Sequence, residues 1–309
     1  MTVFLIVLFS ILIIFLLVIY FFFSLAFVKR NIGNTDDLDD PINKPLQNYK
    51  SEIKEGIDFL ENEPYKWIHT ESLDGLNLAA RYFDYRQDKT IILFHGYRSS
   101  AARDFSCAIK MYKELGFNIL LCDQRSHGLS EGRLITFGIK ESDDVKIWAE
   151  LVAEKFRPKS IILSGMSMGA TTVLLSLSKE LPAKVKGVIA DSGFTTAKEI
   201  ILKVAKQYFK INAKPFMPLF NLYCKILGGF SLNTISTEEA VNNSVIPILF
   251  IHGKADSFVP YEMSVRAYKN ANLKSRILLV ENAEHGLSYL VDKTAVEEEV
   301  QNFIKICDL

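Results

Sequence analysis

Ser167 stands in Gly165-Met166-Ser167-Met168-Gly169, directly after the apolar run Ser160-Ile161-Ile162-Leu163-Ser164. A serine hydroxyl attacks a carbonyl only when a base takes its proton, and the base works only when a third group orients it. Downstream, His252-Gly253-Lys254-Ala255-Asp256 offers an acid and Glu281-Asn282-Ala283-Glu284-His285-Gly286 a histidine, each just past another apolar run. The chain order Ser167, Asp256, His285 is that of a nucleophile elbow, in which flanking glycines let strand and helix approach closely around a strained serine. The chemistry would be acyl transfer. Ser167 attacks, His285 moves the proton and Asp256 holds the imidazole. The backbone N–H groups of Met168 and of Tyr97, the latter after the His95-Gly96 turn, would face the developing oxyanion. Asp191, in Ala190-Asp191-Ser192-Gly193-Phe194, follows a further apolar run and is the alternative acid.

Such groups gather where strands end in an α/β sheet, so the elements around them matter. Short apolar runs at Ile91–Phe94, Asn118–Cys122, Ser160–Ser164, Val185–Ala190, Ile248–Ile251 and Ile277–Val280 read as strands. Amphipathic stretches lie between them: Val145, Trp148, Val152 and Phe156 recur at helical spacing, as do Val296, Val300, Phe303, Ile304 and Cys307. Strands apolar on both faces and separated by helices predict a mostly parallel sheet with helices on both faces. The alternating pattern from Trp67 around Asp74-Gly75 predicts a hairpin at its edge. Residues 49 to 61 read as a short helix. From about 194 to 243 no strand is evident, and Pro215, Pro218 and Gly228-Gly229 interrupt helical, apolar material. An insertion of that size is expected to form a helical cap over the strand ends; a surface excursion without function is the alternative.

The N-terminus carries the strongest compositional signal, with no charged residue from Val3 to Val28. As a helix, about 26 residues would reach roughly 39 Å, enough to span a bilayer core of about 30 Å with tilt. Ser24-Leu25-Ala26 resembles a small-x-small cleavage site, so a signal peptide competes. The length of the run and the lack of a preceding Lys or Arg favour a retained anchor. The expected division is therefore a transmembrane anchor over 1–28, a linker with a short helix over 29–66, and a single domain over 67–309. Lys29 and Arg30 follow the span, and the positive-inside rule then places that domain in the cytoplasm, despite Asp36, Asp37, Asp39 and Asp40.

With 36 basic and 36 acidic side chains, the chain has no electrostatic reason to bind nucleic acid. Cys107, Cys122, Cys224 and Cys307 form no metal-binding or disulfide spacing, so four ordinary thiols are expected. No metal or organic cofactor is implied. His95 and His127 are expected to shape their own loops, and His69 and His252 to be structural. Arg98 and Arg125 are expected to brace loops rather than meet an anionic substrate.

Taken together, His95-Gly96-Tyr97-Arg98-Ser99-Ser100, the 123–132 stretch DQRSHGLSEG, the serine motif, the 252–260 stretch HGKADSFVP and Ala283-Glu284-His285-Gly286 resemble the α/β-hydrolase fold family from Trp67 to the C-terminus. Within it the chain is most similar to serine-peptidase-like, membrane-bound hydrolases. The family pattern has Arg-Gly-His-Gly where this chain has Arg125-Ser126-His127-Gly128. A serine at the elbow argues against the dehalogenase and epoxide-hydrolase branches, which use aspartate there. The resemblance implies a serine hydrolase and says little about its substrate; the membrane anchor and the apolar cap favour a small-molecule or lipid-like acyl substrate, with carboxylic esters ahead of peptide amides. A non-catalytic binding module that keeps the fold is the reading from a different class.

Overall fold

A computed structural model describes residues 1–30 and 46–309. The acidic run Asp36 to Asp40, with Pro41 and Pro45, lies outside the described residues, as does most of the expected linker. The elements run α1 (Thr2–Phe27), α2 (Lys50–Asn62), β1 (Lys66–Glu71), β2 (Asn77–Phe83), β3 (Lys89–Phe94), α3 (Ala101–Phe105), α4 (Ile109–Glu114), β4 (Phe117–Asp123), α5 (Glu141–Leu151), β5 (Ser160–Met166), α6 (Met168–Ser176) and β6 (Val185–Asp191). After these come α7 (Ala197–Tyr208), α8 (Met217–Gly228), α9 (Thr237–Asn242), β7 (Ile248–Gly253), α10 (Tyr261–Lys269), β8 (Arg276–Val280), α11 (Ser288–Val291) and α12 (Lys293–Ile306).

The strands form one eight-stranded sheet in the order β1-β2-β4-β3-β5-β6-β7-β8. β1 and β2 pair antiparallel across the Asp74-Gly75 turn, and β2 is antiparallel to β4; every other pair is parallel. The period of two explains the near-continuous apolar runs. Ile92, Phe94, Leu120, Leu163, Val188 and Phe250 pack on one face with α5, α6 and α10. Their neighbours Ile91, Leu93, Ile119, Leu121, Ile162 and Ile189 pack on the other with α3, α4 and α12. Strands β3 to β7 are each buried on both sides, as a parallel sheet with two helical layers requires, whereas β1 at the sheet edge buries only Ile68.

Two details depart from regular helix. The helix expected over 141–156 ends its α-helical part at Leu151 and widens into a π-turn over Val152–Phe156, which stops at Arg157 in the left-handed region. That turn lays Phe156 on Tyr82, ring centroids 3.9 Å apart and nearly parallel. Helix α6 is buried along its whole length, and the hydroxyls of Thr171, Thr172 and Ser176 are satisfied there by the carbonyls of Phe194, Met168 and Val173.

α1 is long and apolar enough to cross a membrane, with a mean hydropathy of 3.4 over its most apolar window. Most of its surface is bare, yet its last turns are not. Ile19, Phe23 and Phe27 are 6%, 1% and 0% exposed. They form a third core with Met168, Phe194, Ile200, Met217, Phe220 and Phe230, which joins α1 to the β6–β7 connection. Burying a Phe side chain fully is worth about 1.5–3 kcal/mol, so Phe23 and Phe27 alone make this a substantial contact. Past the helix, Lys29 N donates to Arg133 O at 2.8 Å and Ile135 N to Phe27 O at 2.8 Å, which extends the attachment as an isolated antiparallel bridge between Val28 and Leu134.

Candidate active site

β5 ends at Met166 and α6 begins at Met168, so Ser167 is the whole turn between strand and helix. Its φ of 55° and ψ of −114° lie where a side chain is strained. The glycines on either side make the turn possible by close approach. A Cβ on Gly169 would sit 1.9 Å from the Phe94 carbonyl oxygen, and one on Gly165 would sit 2.2 Å from Gly169. The Ser167 N–H is held by the Asp191 carbonyl at 2.8 Å, which leaves the hydroxyl as the group the turn presents.

The structure brings Ser167, His285 and Asp256 together. His285 Nδ1 lies 2.7 Å from Asp256 Oδ2, and its Nε2 lies 2.8 Å from Ser167 Oγ. A carboxylate accepts only, so Nδ1 carries the proton and Nε2 accepts from the serine hydroxyl. Phe258 packs its ring edge-on to His285 at 5.1 Å. Asp256 is fully satisfied: Oδ1 accepts from the backbone N–H groups of Phe258 at 2.9 Å and Val259 at 2.7 Å. Burial alone would raise this carboxyl, but the hydrogen bonds from His252, His285 and Val259 hold it well below the usual carboxylate range. Asp191, the alternative acid, accepts instead from the Ser192 hydroxyl at 2.8 Å. Burial pushes its carboxyl up to about 6.

His252 was expected to be structural, and what it supports is the acid. Its Nε2 lies 3.1 Å from Asp256 Oδ2 and 3.0 Å from the Val259 carbonyl, both acceptors, so Nε2 carries the proton while Nδ1 accepts from Ser264 Oγ at 2.7 Å. The only sequence signal for this contact is the four-residue spacing to Asp256 across the end of β7.

Tyr97 and Met168, the expected oxyanion donors, flank Ser167, and among the described residues neither backbone N–H has a hydrogen-bond partner. The Tyr97 loop is braced from three sides. Asp104 Oδ2 accepts from Gly96 N at 2.7 Å, a contact with no signal in the sequence. His95 accepts from Gln124 N at 3.1 Å. His127 is held in its own loop by the Arg125 carbonyl and also reaches across to accept from Arg98 N at 3.1 Å. Burial lowers the affinity of both His95 and His127 for a proton, which keeps them suited to accept. Arg98 and Tyr97 reach away from Ser167 to the end of α1: the guanidinium donates to the carbonyls of Leu25 and Val28, and the phenol to that of Ala26 at 2.7 Å. Arg125 is buried in a two-pronged pair with Asp144 at 2.6 and 2.7 Å. Ser126, where the resembled pattern has glycine, adopts a φ of 67° and donates from its hydroxyl to the Leu134 carbonyl at 2.9 Å. All four cysteines are free thiols.

Two cavities meet at Ser167. The smaller, about 240 Å³, also touches His285, Ser99, Arg103, Asp104 and Asp191. The larger, about 640 Å³, runs between α1, α7 and α8 and is lined almost wholly by apolar side chains. Tyr97, Ser167 and Phe258 border both.

Residues 85–222 match the model of the family described as serine aminopeptidase S33, and residues 223–307 match that of the TAP-like proteins. The uncharacterized protein YqkD of Bacillus subtilis is 28% identical over 216 residues, covering 70% of each chain. The lysophosphatidylserine lipase ABHD12 of Danio rerio is 26% identical over 184 residues, which are 58% of this chain and 46% of that one. Among solved structures, the Pyrococcus furiosus esterase Pf2001 superposes with a TM-score of 0.65 at 24% identity, over 79% of this chain and 91% of its own. Est1E of Butyrivibrio proteoclasticus, with ferulic acid bound, superposes with a TM-score of 0.62 at 21% identity, over 77% of this chain and 97% of its own.

Proposed function

We propose a function for a chain that belongs to the α/β-hydrolase fold family: it is a membrane-anchored serine hydrolase that cleaves carboxylic esters. The observation that carries this reading is the pair of contacts made by His285, 2.8 Å to Ser167 and 2.7 Å to Asp256. In the reaction Ser167 Oγ attacks the acyl carbonyl as its proton passes to His285 Nε2, and Asp256 stabilises the imidazolium. The Tyr97 and Met168 N–H groups hold the oxyanion. The imidazolium then gives its proton to the departing alkoxide, and water, activated by the same histidine, releases the acid from the acyl-enzyme.

Ester substrates are favoured because the larger cavity at Ser167 has an apolar lining that suits an acyl chain. The helical connection from Phe194 to Asn243 would then act as the cap that shapes this pocket. Amide cleavage on the same triad is the second reading, supported by the serine-aminopeptidase description of the matching family model. Against it, no carboxylate lines the larger cavity among the described residues, and a peptide's amino terminus would need one there.

Retention of α1 as an anchor, rather than its removal as a signal peptide, is supported by what cleavage after Ala26 would discard. The core contacts of Ile19 and Phe23 would be lost, as would the bond from the Tyr223 hydroxyl to the Leu16 carbonyl. Lys29 and Arg30 support a cytoplasmic domain.

The test is labelling by a fluorophosphonate probe together with hydrolysis of p-nitrophenyl esters, in wild type and Ser167→Ala. Labelling and turnover in the wild type that vanish in the variant are expected. A folded wild type that neither labels nor turns over any ester would leave the non-catalytic reading in its place.

A further inference from the structure

The wall of the larger cavity that faces the insertion is the proposed membrane helix itself. Phe15, Val18, Ile19, Phe22, Leu25 and Ala26 of α1 line it, opposite α7 and α8, and Ser167 lies at its inner end. Among the described residues the only charged side chain on this lining is Arg98, whose guanidinium is turned to the carbonyls of Leu25 and Val28. The offset from Phe15 to Ala26 corresponds to about 16 Å along a helix. That is close to half of a hydrocarbon core of about 30 Å, the depth of one leaflet.

Phe15 and Val18 line the cavity and are nevertheless 40% and 46% exposed. Beside them the insertion exposes Phe209, Ile211 and Phe216, and along α8 it exposes Leu222, Ile226 and Leu227, with Ile226 71% bare. An apolar surface of this kind, continuous with a helix fit to cross a bilayer, belongs in acyl chains rather than in water. Exposed Lys206, Lys210, Lys214 and Lys225 stand in or beside the same stretch, where long basic side chains can reach the headgroups.

We propose that the second half of α1 and the 209–227 stretch of the insertion lie together in one leaflet, and that Ser167 receives its substrate sideways from it. The substrate is a single-chain ester already dissolved in the bilayer. Its acyl chain runs along α1 in the larger cavity and its alcohol portion sits in the smaller one, beside Arg103 and Asp104. The anchor is thus a specificity-determining wall as well as a tether. This inference rests on the acyl-ester reading above.

The test uses the full chain in phosphatidylcholine vesicles with p-nitrophenyl esters from butyrate to palmitate. Val18→Trp narrows the cavity, and the ratio of kcat/KM for palmitate to that for butyrate should fall about ten-fold, the scale on which a pocket discriminates chain length. Phe22→Leu can only widen the cavity and should raise that ratio. Leu17→Trp, exposed and on no cavity wall, should keep the wild-type profile. If Val18→Trp does not fold, Phe22→Leu decides. Ratios in Val18→Trp and Phe22→Leu equal to wild type, with fluorophosphonate labelling intact, overturn the proposal and leave the esterase reading standing. A wild type that neither labels nor hydrolyses butyrate overturns both.

Discussion

Arg98 Nη2 lies 2.9 Å from the carbonyl oxygen of Leu25, the closest of its contacts with the end of α1. The last turn of any helix leaves carbonyls without partners inside it. Here those of Leu25 and Ala26 are met by Arg98 and Tyr97, two consecutive side chains of the loop whose backbone is proposed to hold the oxyanion. The position of the Tyr97 amide and the seating of α1 are therefore one structural variable.

Arg98→Leu keeps the apolar stem and removes the donors. A hydrogen bond from a charged group is worth about 1.5–3 kcal/mol, and each 1.36 kcal/mol of transition-state stabilisation is tenfold in rate. A fall in kcat of about ten-fold or more is expected on the butyrate ester, together with a lower Tm. Unchanged kcat with a lowered Tm would confine Arg98 to holding the helix.

Asp256→Asn and Asp191→Asn separate the two candidate acids. The amide can no longer orient and charge-stabilise the imidazole, so kcat should fall by about 10⁴-fold for Asp256→Asn, as for a triad acid elsewhere. Asp191→Asn should change kcat by less than about three-fold, since its carboxylate bonds Ser192 and not His285. The reverse ranking would transfer the role to Asp191.

The same two residues affect stability with opposite sign. Burial raises Asp191 to about 6 from an ordinary 3.8, so between those values the native state keeps a proton that the unfolded chain has released. Its contribution to stability declines as pH rises through that window. Asp256 is held low, so its contribution is present above the unfolded value and is lost as pH falls. Replacing Asp191 with Asn removes only the first effect. The Tm of the variant relative to wild type should climb between about pH 4 and pH 6 and stay level above, which a thermal-melt series would read.

His252→Phe removes the second imidazole from Asp256 Oδ2 without emptying the site. Loss of one hydrogen bond to a charged group predicts a fall in kcat of about 10–100-fold with KM little changed. His252→Gln, which can again donate to the carboxylate, should recover part of that loss. Equal kcat in the two variants would mean that His252 serves packing alone.

Gly169→Ala tests the close approach at the elbow. The new methyl group would overlap the Phe94 carbonyl, and overpacking of this kind costs about 1–3 kcal/mol or more. The variant should melt well below wild type and label slowly with the fluorophosphonate. A Tm within a degree of wild type would mean that α6 can move away from β3 freely.

What was legible in the sequence follows from what is local. Strands such as Ile91–Phe94 and Ser160–Ser164 announce themselves because burial on both faces demands an unbroken apolar run, and the structure extends each by only a residue or two. Ser167, Asp256 and His285 could be singled out because each follows such a run. The distances among them, which make them a candidate triad, belong to the folded sheet. The grip of Asp104 on Gly96, of His252 on Asp256 and of Arg98 on α1 leaves no periodic trace, since a single polar contact between loops needs no pattern. The same holds for α1: hydropathy marks a helix fit for a membrane, while the burial of Phe23 and Phe27 against α8 shows only in three dimensions.

Ser167 stands at the junction of two cavities whose linings come from different parts of the chain. The side proposed for the acyl group is furnished by α1, α7 and α8, while the side proposed for the leaving group is furnished largely by α3, α4 and the loop at His285. On the proposed chemistry, the two halves of an ester are read by two sets of residues that share little beyond Tyr97, Ser167 and Phe258. Preference for one half can therefore drift by mutation while the other is conserved, and neither change need disturb the atoms that break the bond.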